Sequence, residues 1–214
     1  MKYKIERNTV QETLILPLYS RKLCSELYPN LYRDETAVRL IDQIDYDFSV
    51  AEKNSRSLMQ RFGALEVAMR QCDLAWEVRD YLKTHPCAAV FFASGVFYYF
   101  LTQQVRELVQ GMADAFPGGV LVFDAANRTA VKMIAKTWLK TAKIKDVGAY
   151  FAVSDAKSEL SPWDSRLQVS SRGYMLGYSD LKDLSVSGFF RFLARIGDNR
   201  MKMQIVRIGF GGRQ

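Results

Sequence analysis

The chain lacks most of the residues from which metal sites and common nucleophilic sites are built. Its 214 residues include one histidine, His85, and three cysteines without CxxC spacing, Cys24, Cys72 and Cys87. An odd, scattered set of cysteines supports neither a disulfide framework nor a zinc site. Ser-His-Asp and Cys-His mechanisms need a base beside a nucleophile, and His85, which precedes Pro86, is more typical of a loop. The sequence therefore predicts no metal site.

Long apolar runs are absent as well. Charged or polar residues interrupt every apolar stretch well before the roughly 20 residues that a membrane span requires. The start of the chain, MKYKIERNTVQET, has no apolar core of the kind that a secretory signal needs. We therefore expect a cytoplasmic chain without a membrane partner.

The charge balance is basic, with a net charge of +7 that would allow a polyanionic partner. Arg128, Lys132, Lys136 and Lys140 recur every four residues and form one basic stripe on a predicted helix. Such stripes are usually solvated outer faces, and no aromatic residues alternate with this one as a single-strand binder would need. Nucleic-acid binding is therefore not the expected function.

Residues 88–126 have the pattern of a strand, a helix and a second strand. The apolar run 88–93 is followed by an amphipathic helix, and a Pro-Gly-Gly turn then leads into the apolar run 120–123. Two buried parallel strands joined by a crossover helix fit this order. The last strand is predicted at residues 201–210, which are rich in β-branched side chains.

The ends of the two strands in residues 88–126 are the first place to look for a ligand, because open α/β sheets bind ligands beyond the carboxyl ends of their strands. Ser94 and Gly95 follow the first strand, where they either approach a ligand or form a tight turn. Residues 97–100 are aromatic and either cover a ligand ring or pack the sheet against helices. Asp124 ends the second strand, where it either faces a ligand or caps the next helix. No GxGxxG or GxxxxGK[ST] motif accompanies them.

The chain changes character after residue 84. Residues 1–84 have helical patterns, including a short helix that Asp34 can cap, whereas residues 85–214 alternate strands with helices. That alternation is typical of an α/β sheet. A further helix is predicted at residues 129–140.

Five segments together resemble one known family. They are residues 12–13 together with Arg21, LYRDETAVRLIDQIDYDF at residues 31–48, residues 70–90 with HPCAAV at 85–90, residues 95–124 from GVFYYF to FPGGVLVFD, and MKMQIVRIGF at 201–210. On these segments the chain resembles the leucine carboxyl methyltransferase and tetracenomycin-type polyketide O-methyltransferase family over nearly its whole length. The family's class I enzymes use S-adenosylmethionine. The resemblance therefore implies methyl transfer from this cofactor to a hydroxyl or carboxyl oxygen of a small-molecule substrate.

The family pattern is interrupted between Val90 and Phe91. In the family, a strand that begins like HPCAAV leads into a glycine-rich cofactor loop, whereas here Val90 passes directly into residues that resemble the fourth strand. Two overlapping strand-helix-strand units, roughly 70 residues, are missing at this junction. We therefore expect a truncated Rossmann-like sheet of about four strands, mostly parallel with an antiparallel last strand, in the family order 4-5-7-6.

The interruption would make the fourth strand a new edge of the sheet. An apolar edge is open to pairing with another chain, so lowered stability, self-association through the edge and coverage by the N-terminal part are the expected outcomes. Residues 1–84 would form an all-helical N-terminal cap and substrate lid, and residues 85–214 the partial core, within a single structural unit.

The resemblance also implies roles for individual residues. Those on the cofactor side are Arg70, Ser94 and Gly95, and those on the substrate side are Arg21, Tyr98, Tyr99 and Asp124. Methyl transfer in this family depends mainly on aligning an oxygen with the sulfonium methyl, so no catalytic base can be named. Because the cofactor-binding half is missing, we expect a weak or inactive methyltransferase. The alternative is a non-catalytic remnant or interaction module.

Overall fold

The structure is a computed structural model that describes residues 2–6, 9–91, 93–134, 136 and 148–211. Within these ranges the chain is a mixed α/β protein with eight α-helices and two small sheets. The chain divides into two compact units. Of the described residues, the first unit contains 2–6, 9–69, 134, 136 and 181–192, and the second contains 70–91, 93–133, 148–180 and 193–211.

The first unit is mainly helical. It contains α1 (Val10–Leu27), α2 (Glu35–Gln43), α3 (Ser49–Asn54) and the beginning of α4 (Leu58–Thr84). The predicted cap of α2 is confirmed, because Asp34 Oδ1 accepts a hydrogen bond of 2.8 Å from the Ala37 N–H. That bond satisfies a backbone donor that has no partner inside the helix.

The prediction that the N-terminal part is all-helical is wrong in one respect. Two short strands, β1 (Tyr3–Lys4) and β2 (Ile44–Asp45), pair in parallel, with Tyr3 opposite Ile44. Ile44 ends α2 with an extended backbone, and both tyrosine and isoleucine favour strands. A segment this short has too little periodicity to be predicted from the sequence.

The second unit is built on a sheet of three strands, β3 (Val120–Ala125), β4 (Leu167–Gly173) and β5 (Gln204–Phe210), in the order β3-β5-β4. Strand β5, the last in sequence, lies in the centre and runs antiparallel to both neighbours. Its Val206 and Ile208 have no exposed surface. The predicted final strand is therefore confirmed and forms the middle of the sheet.

The first strand of the predicted strand-helix-strand unit is not formed. Residues 88–91 and 93 belong to no sheet, and Val90 and Phe91 are 46% and 81% exposed. The sheet thus has three antiparallel strands instead of about four mostly parallel ones, and β3 has β5 as its one strand neighbour in the described sheets. Parallel strands are stable mainly where both faces are covered, and residues 88–93 would have only β3 to pair with.

Helix α5 (Thr102–Ala115) confirms the helix of the predicted strand-helix-strand unit, but not its role as a crossover between two parallel strands. It buries Val105, Val109 and Ala113, which are spaced four residues apart and so lie on one face. These side chains belong to the same hydrophobic core as Phe123 of β3. The packing of this face against the sheet is what the 3.6-residue period predicts.

The remaining helices are α6 (Arg128–Ile134), α7 (Ala156–Leu160) and α8 (Gly188–Arg200). Helix α6 begins where the helix 129–140 is predicted. Residues 135 and 137–140 lie outside the described residues, so the last residue of the basic stripe, Lys140, does too. Among the described residues, no helix combines the length and the apolar character needed to cross a membrane.

The core of the second unit should be most sensitive to changes in β5. We expect Ile208→Ala to lower the free energy of unfolding by about 2–5 kcal/mol, because Ile208 is fully buried and its truncation leaves a cavity in the core. Urea denaturation followed by circular dichroism measures the loss. Leu108→Ala on α5, where the side chain is 46% exposed, is the control and should change stability by less than about 0.5 kcal/mol. Equal losses in the two variants would contradict this assignment of the core.

Candidate functional site

Asp124 is the buried centre of the candidate site. It lies near the end of β3, and its side chain is 1% exposed. Its Oδ1 accepts a hydrogen bond of 2.7 Å from the Gly95 N–H, and its Oδ2 accepts one of 3.3 Å from Arg70 Nη1. The structure therefore brings three of the predicted site residues, Arg70, Gly95 and Asp124, into direct contact.

Gly95 is suited to this position by its backbone and by its lack of a side chain. Its φ of +69° lies in the left-handed region that favours glycine. A Cβ at this position would lie 3.3 Å from Arg70 Nη1, which is a tight contact. The glycine thus allows its own N–H and the Arg70 guanidinium to reach one carboxylate together.

The aromatic residues after Gly95 lie mostly in the core. Phe97 and Tyr98 are each 7% exposed, and the Phe97 ring centroid lies 4.9 Å from that of Phe123. The backbone carbonyl of Tyr98 accepts a hydrogen bond of 2.7 Å from the Tyr150 N–H. Of the two interpretations of the aromatic cluster, packing of the core fits Phe97 and Tyr98.

Three other predicted site residues, Arg21, Ser94 and Tyr99, form no hydrogen bond with Asp124 in the described structure. Ser94 and Tyr99 are half-buried neighbours of the residues above. Arg21 belongs to the first unit, where its Nε donates a hydrogen bond of 2.8 Å to Asp34 Oδ2. The Tyr32 hydroxyl donates to the same oxygen at 3.0 Å. Arg21 thus stabilises the carboxylate that caps α2.

The arrangement around Asp124 leaves its carboxylate little capacity for a ligand. Arg70 supplies a compensating charge and the Gly95 N–H a donor, which a buried carboxylate requires because its isolated burial is costly. The helix-cap interpretation of Asp124 does not apply, since Asn127 Oδ1 accepts the Ala130 N–H at 3.0 Å at the start of α6. Through its hydrogen bond with the Gly95 N–H, Asp124 holds the segment after residue 93 against the end of β3.

Helix α4 carries two further acidic residues on the same face as Arg70. Asp73 follows Arg70 by three residues, and Glu77 follows Asp73 by four, so the three side chains lie along one side of the helix. Asp73 is 4% and Glu77 8% exposed. This face brings a row of charged groups into the second unit.

Asp73 is the least compensated of these groups. Its Oδ2 is buried and has no hydrogen-bond partner among the described residues. Asp198 of α8 accepts hydrogen bonds from the N–H groups of Met175 and Leu176 at 3.0 and 2.8 Å. Burial, and then repulsion by Asp198 and Glu77, raises the pKa of Asp73 to about 8. Asp73 therefore retains its proton at neutral pH.

Glu77 is compensated more fully. It accepts a hydrogen bond of 2.6 Å from the Tyr178 hydroxyl and lies 3.7 Å from Arg207 Nε. Burial, followed by the hydrogen bond to Glu77, raises the pKa of Tyr178, so the phenol remains a donor. The Arg172 guanidinium lies 5.3 Å from the centroid of the Tyr178 ring, a cation–π distance. The phenol and Arg207 thus lie beside the Glu77 carboxylate, and Arg172 lies over the ring of the phenol.

Sequence reasoning did not identify Asp73, Glu77, Tyr178 or Asp198. The available signal was the spacing of Arg70, Asp73 and Glu77, which places three charges on a helical face that also buries Leu74. Charged residues on an otherwise buried face need partners from other elements. Which elements supply them is not visible in the spacing.

A polar groove of about 520 Å³ lies in the second unit, apart from Asp124. It is lined by the end of α4, including Glu77, Tyr81 and His85, and by Arg207 of β5. As far as the described residues show, it includes none of the predicted site residues. Nor does any group of three or more His, Cys, Asp or Glu side chains in the described part of the chain have the arrangement to hold a metal ion.

Comparisons of the chain with protein-family models, with curated proteins and with solved structures each found no match. The resemblance to methyltransferases therefore remains a prediction from the five sequence segments. The contacts of Asp124 and the order of the sheet are the structural observations that bear on it.

Replacing Asp73 should change how stability depends on pH. Its pKa is about 8 in the folded chain and 3.8 without the protein environment, so between these values the folded state binds the extra proton. Stability should therefore fall as pH rises from about 4 to about 8, by at most about 1.4 kcal/mol per pH unit. Asp73→Asn cannot ionise and should remove this slope, measured by urea denaturation at several pH values.

Asp80→Asn is the matched control for that measurement. Asp80 lies on the same helix, is 50% exposed and pairs with Lys83 at 3.1 Å. Its replacement should leave the slope unchanged. If Asp73→Asn and the unaltered chain show the same pH dependence, Asp73 is ionised at neutral pH and the assignment is wrong.

Removing Arg70 should be costly because it leaves Asp124 without its counter-charge. We expect Arg70→Gln to lower the free energy of unfolding by about 3–5 kcal/mol. Arg79→Gln, an exposed position on the same helix, should change it by less than about 0.5 kcal/mol. The double variant with Asp124→Asn should be less destabilised than the two single losses added together. Additive losses in thermal denaturation would show that Arg70 and Asp124 do not interact.

Proposed function

We propose that the chain is a member of the S-adenosylmethionine-dependent O-methyltransferase family that it resembles, without the cofactor-binding half of the fold. Its core would be a truncated Rossmann-like sheet. The parent activity is O-methylation of a small-molecule hydroxyl or carboxyl, and this chain has weak activity or none.

The order of the sheet is the observation that carries this proposal. Strand β5 is last in sequence but lies between β3 and β4 and runs antiparallel to both. The resemblance implies the order 4-5-7-6 with an antiparallel last strand, and β3, β5 and β4 would correspond to strands 5, 7 and 6. Sequentially adjacent strands usually lie side by side, whereas here β5 separates β3 from β4, as strand 7 separates strands 5 and 6 in the implied order. This order supports the family assignment independently of the five sequence segments.

The contacts of Asp124 support the second part of the proposal, weak or absent activity. A ligand at the carboxyl end of β3 would need room and free polar groups there. Asp124 is instead 1% exposed and held by Arg70 and the Gly95 N–H. The missing block would have supplied the glycine-rich loop and the acidic residue that hold the cofactor in relatives. Arg70 and Gly95, expected on the cofactor side, are engaged with the protein itself.

The alternative function is a non-catalytic interaction module. The observation that favours it is the exposure of Val90 and Phe91, together with the single strand neighbour of β3 in the described sheets. An apolar segment and a sheet edge in one unit are features that pairing with another chain would cover. Sedimentation of the unaltered chain and of Phe91→Asp distinguishes this reading, because self-association through this segment should be lost in the variant.

Cofactor binding tests the main proposal most directly. Titration calorimetry of the unaltered chain with S-adenosylmethionine and with S-adenosylhomocysteine should show no binding in the micromolar range. A variant in which the missing block of an active family member is inserted between Val90 and Phe91 should gain micromolar binding, because the block restores the backbone donors and the carboxylate of the pocket.

Two results would contradict the proposal in different ways. Micromolar binding and methyl transfer by the unaltered chain would show that the cofactor site is intact. An inserted variant that is folded, as judged by circular dichroism and a cooperative thermal transition, but binds neither ligand would count against the family assignment itself.

A further inference from the structure

Three large apolar side chains of the first unit project into solvent within one short stretch. Leu184 is fully exposed, and Phe189 and Phe192 are 52% and 55% exposed. Phe189 and Phe192 are three residues apart at the start of α8 and therefore lie on the same side of the helix. We call these three residues the Phe189 surface. Exposed aromatic and aliphatic side chains grouped in this way usually mark an interaction site.

The turn that carries Leu184 is held in place by hydrogen bonds. Arg191 Nη1 donates to the carbonyl of Val186 at 3.1 Å and to that of Leu181 at 3.5 Å. Asp183 Oδ1 accepts the Ser185 N–H at 2.8 Å and also the Ser185 hydroxyl. These bonds fix both sides of Leu184. The exposed leucine is therefore at the apex of an ordered turn.

The buried side of the same stretch is anchored within the first unit. Val186 and Phe190 are each 2% exposed, and the Phe190 ring centroid lies 5.6 Å from that of Phe62 on α4. One helical turn before Phe62, Leu58 and Met59 are 58% and 68% exposed. Leu58 lies four residues before Phe62 and so shares its side of α4. The start of α4 thus adds two more exposed apolar side chains beside this contact.

The charged residues in the two segments that carry these apolar side chains are predominantly basic. In residues 56–62 and 181–192, the basic residues are Arg56, Arg61, Lys182 and Arg191, and the acidic residue is Asp183. The chain as a whole carries a net charge of +7. The Arg61 guanidinium lies 5.8 Å from the centroid of the buried Phe190 ring, so this charge is on the inner side of the stretch, whereas Arg56 and Lys182 are exposed. The partner that complements them is apolar at its centre and negative around it.

We propose that the Phe189 surface docks the protein on the surface of an anionic lipid bilayer, without crossing it. Phenylalanine and leucine side chains can enter the boundary between headgroups and acyl chains, while the exposed Arg56 and Lys182 side chains remain beside the negative headgroups. A second copy of this chain would bring the same basic residues together, which their mutual repulsion opposes. Charge complementarity therefore favours a lipid surface.

This proposal differs from the expectation, based on the absence of a membrane span, that the chain has no membrane partner. Peripheral docking needs only an exposed apolar surface with basic residues around it. The exposure of Phe189 and Phe192 is a property of the folded first unit. It is independent of the methyltransferase proposal, which rests on the second unit.

Vesicle flotation with the full chain tests the proposal. The chain should bind vesicles of phosphatidylcholine mixed with phosphatidylserine, bind vesicles of phosphatidylcholine alone several-fold less, and bind less as salt is added. Phe189→Ser combined with Phe192→Ser should weaken binding to the mixed vesicles at least about tenfold, because it removes two side chains that enter the bilayer. Arg56→Gln combined with Lys182→Gln should reduce the difference between the two kinds of vesicle.

Phe116→Ser is the matched control, since Phe116 is also a phenylalanine with half of its surface exposed, 50%, but belongs to the second unit. It should bind vesicles like the unaltered chain. Circular dichroism verifies that every variant is folded. The proposal is overturned by a folded chain that fails to bind the mixed vesicles at low salt, or by equal effects of the Phe189/Phe192 and Phe116 changes.

Two other outcomes would assign the surface to a different partner and also overturn the proposal. The first is a dimer in sedimentation experiments that the Phe189 and Phe192 changes dissociate, with no binding to vesicles. The second is retention by a random oligonucleotide, with no binding to vesicles. Each identifies an occupant other than a lipid surface.

Discussion

The second unit depends on the compensation of one buried carboxylate. Asp124 lies near the end of the hydrophobic strand β3, where 1% of its side chain is exposed to water. An isolated charge there would be strongly unfavourable, so the chain must supply partners from elsewhere. Arg70 comes from the middle of α4, and the Gly95 N–H comes from the segment that precedes α5. Three elements that are distant in sequence are thereby joined at one point.

Helix α4 shows three ways of placing a charged residue in a protein interior. Arg70 forms an ion pair with Asp124. Glu77 accepts a hydrogen bond from the Tyr178 hydroxyl and lies near Arg207. Asp73 has neither kind of partner for its Oδ2 and retains a proton instead, because burial and neighbouring carboxylates raise its pKa to about 8. The helix therefore contributes both rigid contacts and one group that titrates near neutral pH.

The contacts of Asp124 also bear on the proposed function. A family methyltransferase would use the carboxyl ends of the strands to hold its cofactor and substrate, and the sheet order β3-β5-β4 is the observation on which we base the family proposal. The same end of β3 is occupied by Arg70 and Gly95, which stabilise the fold at the expense of an open site. This combination is why we propose a family member with little or no activity. The exposed Phe189 surface of the first unit is the basis of our separate proposal that the chain docks on a lipid surface.

The sequence was sufficient to predict features that depend on residues close together along the chain. The face of α5, the cap at Asp34 and the final strand around Val206 all follow from local spacing, and the structure has each of them. Such features are predictable because a helix or a turn is stabilised largely by residues close to it in the chain. Arg70, Gly95 and Asp124 could be named as site residues, but their contact with one another could not.

The tertiary structure alone decided which apolar runs pair as strands and which charges are compensated. The apolar run 88–93 has the composition of a strand, yet a strand forms only where it pairs with another strand, and residues 88–91 and 93 belong to neither described sheet. The pKa of Asp73 likewise depends on burial and on Asp198 of α8, far along the chain. Side-chain composition and periodicity thus determine what each segment can form. Pairing and desolvation, which involve residues distant in sequence, determine what it does form.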